Sequence, residues 1–395
     1  MAGLRDIAAQ AGLDEAQGNL PSLELDLGAD GGTFSGYVTE GEGADAFTDF
    51  YRLTGLNPDE WVLDQGSLRV SMWQQSKRTD DGHRDLVWLR AYRGNLRRLS
   101  SPEVTATDVQ AMLATARRHP RVRHKRASER TRLVLASDVQ VGKVDRHGGT
   151  PEMLERVAGL LELLGDRMAS DPCERAILPD PGDLIEGFQN TGSQAHTNDL
   201  SHPEMLRVAR GVLTDMVSAV ASQHAHTRVA TCPSNHAAWR RGRDYLGKPG
   251  DDYGLDVHRA VRDVLARDER LSIDWVLPET PWDHITYIEE RGHRIALTHG
   301  DKARAGQFGK WWQGQAASSS QAHGANIVIS GHYHTFIAQA LGITFDNRER
   351  LHLQAPALDG GSAWWQAISG EESKPGLVTL ILDEDGWHDI ELITL

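Results

Sequence analysis

The chain has 395 residues, of which 39% are hydrophobic and 25% charged, and a formal net charge of −14. That length predicts two domains with a sizeable core in at least one, and the acidity excludes a nonspecific coat of nucleic acid over the whole surface while allowing a local basic groove. No run approaches roughly eighteen apolar residues, no basic-then-apolar leader opens the sequence, and Cys173 and Cys232 lack metal-type spacing; the expectation is a reduced, cytoplasmic protein with no membrane span.

Residues 2–12 resemble the first helix of a helix-turn-helix module whose second helix is missing, so no DNA-reading role is assigned to them. Strand patterns over 22–27 and 33–39, a helix over 44–53 and strands over 68–73 and 86–92 predict a small α+β domain spanning residues 1–100. Its aromatics Trp61, Trp73, Trp88 and Tyr92 suit either stacking on bases or the domain's own core. Residues 101–130 read as a helical, basic linker. Arg117 to Arg132 carries eight Lys or Arg in sixteen residues against one acid, Glu129, which is either a solvated connection or a contact to a phosphate backbone.

From Leu133 the pattern becomes strand and helix in alternation. Leu133-Val134-Leu135-Ala136 runs into Ser137-Asp138-Val139-Gln140. Thr150-Pro151 predicts a helix start, with Met153, Val157, Leu160, Leu161, Leu164 and Met168 as one apolar stripe, and Ser201 with Glu204 predicts a capping box on the next helix. Ala176-Ile177-Leu178 leads to Gly182-Asp183-Leu184-Ile185-Glu186, Arg228-Val229-Ala230-Thr231 to Ser234-Asn235-His236, and Arg294-Ile295-Ala296-Leu297 to Thr298-His299-Gly300. The last of the series, Ile327-Val328-Ile329, opens into Ser330-Gly331-His332-Tyr333-His334. Alone, a His-x-His after a strand is more often a hydrogen-bonded turn than a metal site. On extended backbone the two rings would point the same way, and the glycine before them would permit close approach. Five apolar strands ending in metal-capable side chains imply a site at the carboxyl ends of a sheet. The tail, 376–395, reads as a hairpin turning at Asp383-Glu384-Asp385-Gly386.

This order of motifs resembles the calcineurin-like metallophosphoesterase superfamily, and more narrowly the SbcD-type DNA repair exonucleases, over residues 131–395. The resemblance implies an α/β catalytic domain built as a four-layer sandwich of two mixed β-sheets flanked by helices. It implies two divalent ions, manganese foremost with zinc, iron or magnesium as alternatives, and a metal-bridging hydroxide as nucleophile. Carried over residue by residue, Asp138, Gln140 and His334 would hold one ion and Asn235, His299 and His332 the other, Asp183 would bridge them, and His236 would protonate the leaving oxygen. Two positions depart from the family pattern. Gln140 stands where histidine is usual, and Ala237 stands where an acid usually follows, which would leave His236 without a carboxylate partner.

For the substrate, Lys143, Arg240, Arg241, Trp311 and Trp312 are the expected contacts, since cations interleaved with aromatics beside a phosphodiester site suit DNA. A small-molecule phosphatase or phosphodiesterase, with Trp364 and Trp365 joining Trp311 and Trp312 as pocket walls, is the second reading. A metal-holding assembly protein is the third. Residues 1–100 are expected to position substrate, recruit a partner protein or mediate self-association. An ATPase partner of the kind SbcD-type nucleases use is not expected, because the extra domain precedes the catalytic one.

Overall fold

The computed structural model describes residues 23–27, 31–40, 46–56, 61–64, 67–78, 83–98, 105–124, 127–187, 198–242, 244–359 and 361–395. The helix expected over 2–12 lies outside them, as do Lys125, Arg126 and Arg243 of the basic segments. The chain divides into two compact units, Met1–Glu103 and Val104–Leu395.

In the first unit, β1 (Glu24–Leu27), β2 (Gly31–Glu40), β3 (Trp61–Leu63), β4 (Arg69–Arg78) and β5 (Arg84–Arg98) form one antiparallel sheet, with β5 pairing β2, β3 and β4. Helix α1 (Ala46–Thr54) places Phe50 among Phe34, Tyr37, Trp61 and Leu96. Trp61 and Tyr92 therefore belong to this core or pack against it, Trp73 is half-buried and Trp88 is exposed. The core reading holds for the first two because so small a sheet has few other side chains large enough to close its buried face.

The second unit begins with α2 (Ala106–Arg117), which buries Met112 and Ala116 in that unit's core. Residues 101–130 are thus not a linker by composition alone: the helix within them is part of the second unit. Three cations of the basic run are used inside the protein, while Arg117, Arg118 and Arg123 are exposed. Arg121 donates to the carbonyls of Ala221 and Ser222, Arg130 pairs with Asp171, and Arg132 is buried against Asp171.

A six-stranded sheet has the order β11-β8-β7-β6-β17-β18, from β6 (Ser128–Leu135), β7 (Cys173–Asp180), β8 (His226–Thr231), β11 (Ile273–Val276), β17 (Gly376–Leu382) and β18 (Trp387–Thr394). Its first four strands are parallel. The tail joins it as the expected antiparallel hairpin, β17 lying against β6. A five-stranded sheet has the order β12-β13-β14-β16-β15, from β12 (Ile285–Glu290), β13 (His293–Thr298), β14 (Ile327–Ser330), β15 (Ile337–Ile343) and β16 (Glu349–Gln354), with β13, β14 and β16 parallel. A two-stranded hairpin, β9 (Arg240–Arg241) and β10 (Asp244–Tyr245), stands apart from both.

The period-two alternation of side chains decides the layering. Leu133, Leu135, Ile177, Ala230, Ile295, Leu297, Ile327, Ile329, Val378 and Leu380 meet in one cluster between the two sheets. Their neighbours Val134, Ala176, Leu178, Val229 and Leu377 face α2, α3 (Thr150–Ser170), α4 (His202–Ala221) and α5 (Tyr253–Leu265) on the outer side of the six-stranded sheet. Ala296 and Val328 face α6 (Phe308–Ser318) and α7 (Ser320–Gly324) on the other outer side. The result is helices, mixed sheet, mixed sheet, helices: the four layers that the motif order implied.

The capping box of α4 is as expected, Glu204 accepting from both the backbone and the hydroxyl of Ser201. On α3 the cap falls one residue early. Gly149 is the N-cap, held by Glu152, while the Thr150 hydroxyl is used by Gly142 N–H and Asp199 to tie down the first site loop. Both cysteines are buried and free. Among the described residues, no helix is long and apolar enough to cross a membrane.

Candidate metal centre

Five strands deliver the site. The loops after β6, β7, β8, β13 and β14 carry Asp138, Asp183, Asn235 with His236, His299, and His332 with His334, all at the carboxyl ends of parallel strands. The backbone there is unusual. Asp138, Gln140, Asp183, His332 and His334 all have positive φ, between 43° and 73°, a region that non-glycine residues enter at a cost of about 1–3 kcal/mol. Among the described residues eight non-glycines do so in all, so most of this strain is gathered at one place.

Gly331 shows why the loops need small residues. A Cβ there would overlap the Ser137 hydroxyl and the Asp138 carboxylate, so only glycine lets the β14 loop lie against the β6 loop. Once there, the His332 N–H donates to Asp138 at 3.1 Å. Gly182, at φ +102°, performs the same service against Ser234.

The donors converge around His299. Its Nε2 lies 2.7 Å from Asn235 Oδ1, 2.9 Å from Asp183 Oδ2 and 3.2 Å from His332 Nδ1. Its other nitrogen, Nδ1, donates to the Pro181 carbonyl at 2.9 Å, which fixes the ring and turns Nε2 inward. Such spacings are those of ligands around one ion held at about 2.1 Å. Asp183, His299 and His332 bring three metal-capable donors within 4.8 Å of one another. Asp183 Oδ2 is buried and faces His299 Nε2, while Oδ1 accepts from the His236 N–H at 2.8 Å. A buried carboxylate oxygen facing two imidazoles and an amide oxygen fits a divalent first-row ion. Without one, a proton takes its place. Burial opposes charge on His299, yet Asp183 raises its pKa to about 10, and His332, buried beside that imidazolium, falls to about 4. Desolvation works against Asp183 too, but His299 and His236 hold it ionised well below the usual carboxylate range.

The two histidines of the His-x-His do not share a locus. With both backbones at positive φ rather than extended, His332 turns to Asp183 and His299, whereas His334 turns to Asp138, at 3.4 Å, and Asp359, at 3.5 Å. Asp138 is fully buried, and His334 keeps it ionised against that burial. Gln140 is buried as well, its amide oxygen accepting from Lys143 Nζ at 2.7 Å.

His236 has a carboxylate after all. Ala237 supplies none, but Glu186, buried on the loop after β7, places Oε2 3.1 Å from His236 Nδ1, and its backbone carbonyl lies equally close. Burial disfavours the imidazolium, yet Glu186 and Asp183 raise its pKa above the ordinary histidine value. Glu186 stands in the quoted motif; its spacing from Asp183 was the signal. Asp359, at the end of the sixth such strand, β16, had no motif to mark it.

Two expected substrate contacts, Lys143 and Trp312, prove to be enclosed. Lys143 is enclosed between Gln140 and Asp359, its side chain 10% exposed. Trp312 is 1% exposed among Ala296, Phe308 and Val328, because a helix on an apolar sheet buries positions four apart. Trp311 packs beside it on Phe308, half-buried. Trp365 is half-buried near Tyr333; the Trp364 side chain lies outside what is described. Arg240 and Arg241 fare differently. They open the hairpin just past His236, Arg241 is exposed, and Arg240 is close enough to disfavour charge on His236. The hairpin's Tyr245 reaches Lys302, and Lys302 pairs with Asp301 at 2.7 Å.

No family model and no curated protein matches this chain. Among solved structures, one match is "Structure of PhoD", at 10% identity and a TM-score of 0.32, covering 94% of this chain and 88% of that one. An overlap this loose leaves the fold to the sheets described above and the site to its own atoms, and it lends nothing to the SbcD-type expectation.

Proposed function

We propose that this chain is a metal-dependent phosphoester hydrolase. The observation that carries the reading is the meeting of Asp183, Asn235, His299 and His332, from four different strand ends, around a buried carboxylate oxygen, with His236 braced alongside. Those four residues would hold a divalent ion, manganese foremost. Such an ion supplies Lewis acidity to a phosphoryl oxygen and makes water acidic enough to attack near neutral pH.

The protein's own groups do the rest. Asp183 is fixed by the His236 N–H, so the carboxylate keeps its aim. Glu186 holds the His236 ring in one orientation and favours its charged form, so the ring can give a proton to the departing oxygen. Arg240 brings a guanidinium to the same mouth, suited to a phosphoryl oxygen.

The finer reading is a nuclease acting on DNA. It draws on Arg240 and the exposed Arg241 beside His236. The enclosure of Lys143 and Trp312, and the internal use of Arg121, Arg130 and Arg132, favour the alternative of a nucleotide or other small phosphoester. The test is hydrolysis by the manganese-loaded protein of p-nitrophenyl phosphate, bis(p-nitrophenyl) phosphate, nucleotides and labelled single- and double-stranded DNA, with Asp183→Asn as control. Turnover of any of these, lost in the variant, is expected. DNA cleavage selects the nuclease, turnover of the small esters alone selects the phosphatase or phosphodiesterase, and metal binding without any hydrolysis rejects the enzyme in favour of an assembly protein.

A further inference from the structure

We propose that the chain binds one divalent ion, at Asp183, Asn235, His299 and His332, and that the Lys143 ammonium, anchored by Gln140 and Asp359, fills the second cation position. This deepens the phosphoester-hydrolase reading and rests on it. The ligands that the motif order assigns to a first ion are Asp138, Gln140 and His334, with Asp183 shared. Gln140 has one atom able to ligate a metal, its amide oxygen, and that atom accepts from Lys143 Nζ at 2.7 Å. Lys143 in turn pairs with Asp359, whose side chain is 1% exposed. The same Asp359 oxygen lies 3.5 Å from His334 Nδ1, and His334 Nε2 lies 3.4 Å from Asp138.

These contacts run in an unbroken series from Asp138 through His334, Asp359 and Lys143 to Gln140. Each charge in it has an opposite or polar partner within the series, whereas Asp183 Oδ2 faces the imidazole of His299, itself a candidate ligand. Among the described residues, Asp183, His299 and His332 are the group of three metal-capable donors that converges, and Asp138 with His334 does not form another. A divalent ion on the Gln140 oxygen would have to sit against the ammonium already holding it, inside a region too buried for water to screen the repulsion. Glutamine in place of histidine is therefore matched to the lysine three residues on. An imidazole nitrogen there would call for a metal, whereas an amide oxygen is what an ammonium needs. Lys143 contributes positive charge beside the phosphoryl locus but no site for water, so the attacking water belongs to the single ion.

The full-length chain, equilibrated with manganese and dialysed, tests this by metal content and by electron paramagnetic resonance. The expected result is one manganese per chain with the hyperfine pattern of an isolated ion, lost in His299→Ala. The double variant Gln140→His with Lys143→Ser is expected to gain a second ion and an exchange-coupled signal. Two coupled ions in the wild-type chain overturn the proposal, and with hydrolysis retained they leave the phosphoester reading intact. A single ion lost on Asp138→Asn but kept in His299→Ala overturns it too, as does a folded double variant that stays at one ion. No bound manganese in the wild type overturns both readings. The wild-type measurement decides even if the double variant fails to fold.

Discussion

Glu186 and Gly331 are the two residues whose roles are easiest to isolate, since neither would ligate a metal. Glu186 orients His236 from outside the ligand set. Glu186→Gln keeps the shape and removes the charge; the expected outcome is a fall of about 10–100-fold in kcat, with manganese content unchanged, measured by steady-state kinetics and metal analysis. Gly331→Ala puts a methyl group where the Ser137 hydroxyl and Asp138 carboxylate already are. The expected outcome is a loss of about 1–3 kcal/mol in denaturant unfolding together with a displaced Asp138. A variant as stable as wild type would show that the two loops are not packed this closely. At this scale the sequence could single out Asp183, Asn235, His299 and His332 as candidates, which the structure places side by side, because Asp, Asn and His at strand ends have few structural uses in common. It could not name Asp359, whose role depends on where Lys143 points.

Helix α6 separates two neighbouring tryptophans by a single step of about 100° around its axis. Trp312 faces the sheet and Trp311 only its edge. Trp312→Ala is expected to cost about 3–5 kcal/mol, by cavity formation under the helix. Trp311→Ala is expected to cost about 1 kcal/mol or less, and chemical denaturation measures both. A comparable reversal befell the basic run. A strand rises about 3.3 Å per residue, so Arg130 lies roughly 16 Å from Leu135, where β6 enters the site loop. Its arginines meet Asp171 and helix carbonyls at the far end of the sheet instead. Charge in a sequence has a sign but no direction, and strand polarity supplies the direction.

At the scale of the whole molecule, two buried histidines away from the metal centre contribute to the response to acid. Burial lowers the pKa of His224 to about 4, and its ring lies against the Val220 carbonyl; burial does the same to His352, stacked on Phe308. Both rings have the ordinary histidine value of 6.5 in the unfolded chain, so unfolding takes up protons between that pH and about 4. Their contribution to stability is complete above the unfolded value and is lost as pH falls through this window, on the order of 3 kcal/mol each by the lower end. Urea midpoints across the window should fall, and His224→Gln should flatten the slope by about one proton. The two units have separate cores, so residues 104–395 are expected to fold alone, with a cooperative thermal transition and manganese binding retained.

The sequence by itself determined the alternation of strands and helices and the order of the candidate ligands; the layers came from the resemblance. Apolar strands alternating with amphipathic helices leave few arrangements that bury both faces of a sheet, and parallel strands bring their polar ends to the same edge. The tertiary structure alone decided which side chains those ends would meet. Positive φ at His332 and His334 parts two rings that extended backbone would have aligned. Glu186 supplies His236 with the carboxylate missing at position 237, and Asp359 closes on a lysine more than two hundred positions away. Local pattern dictates how each segment folds, but an ion pair or a ligand set is a property of distances between segments, and those exist only once the sheets have packed.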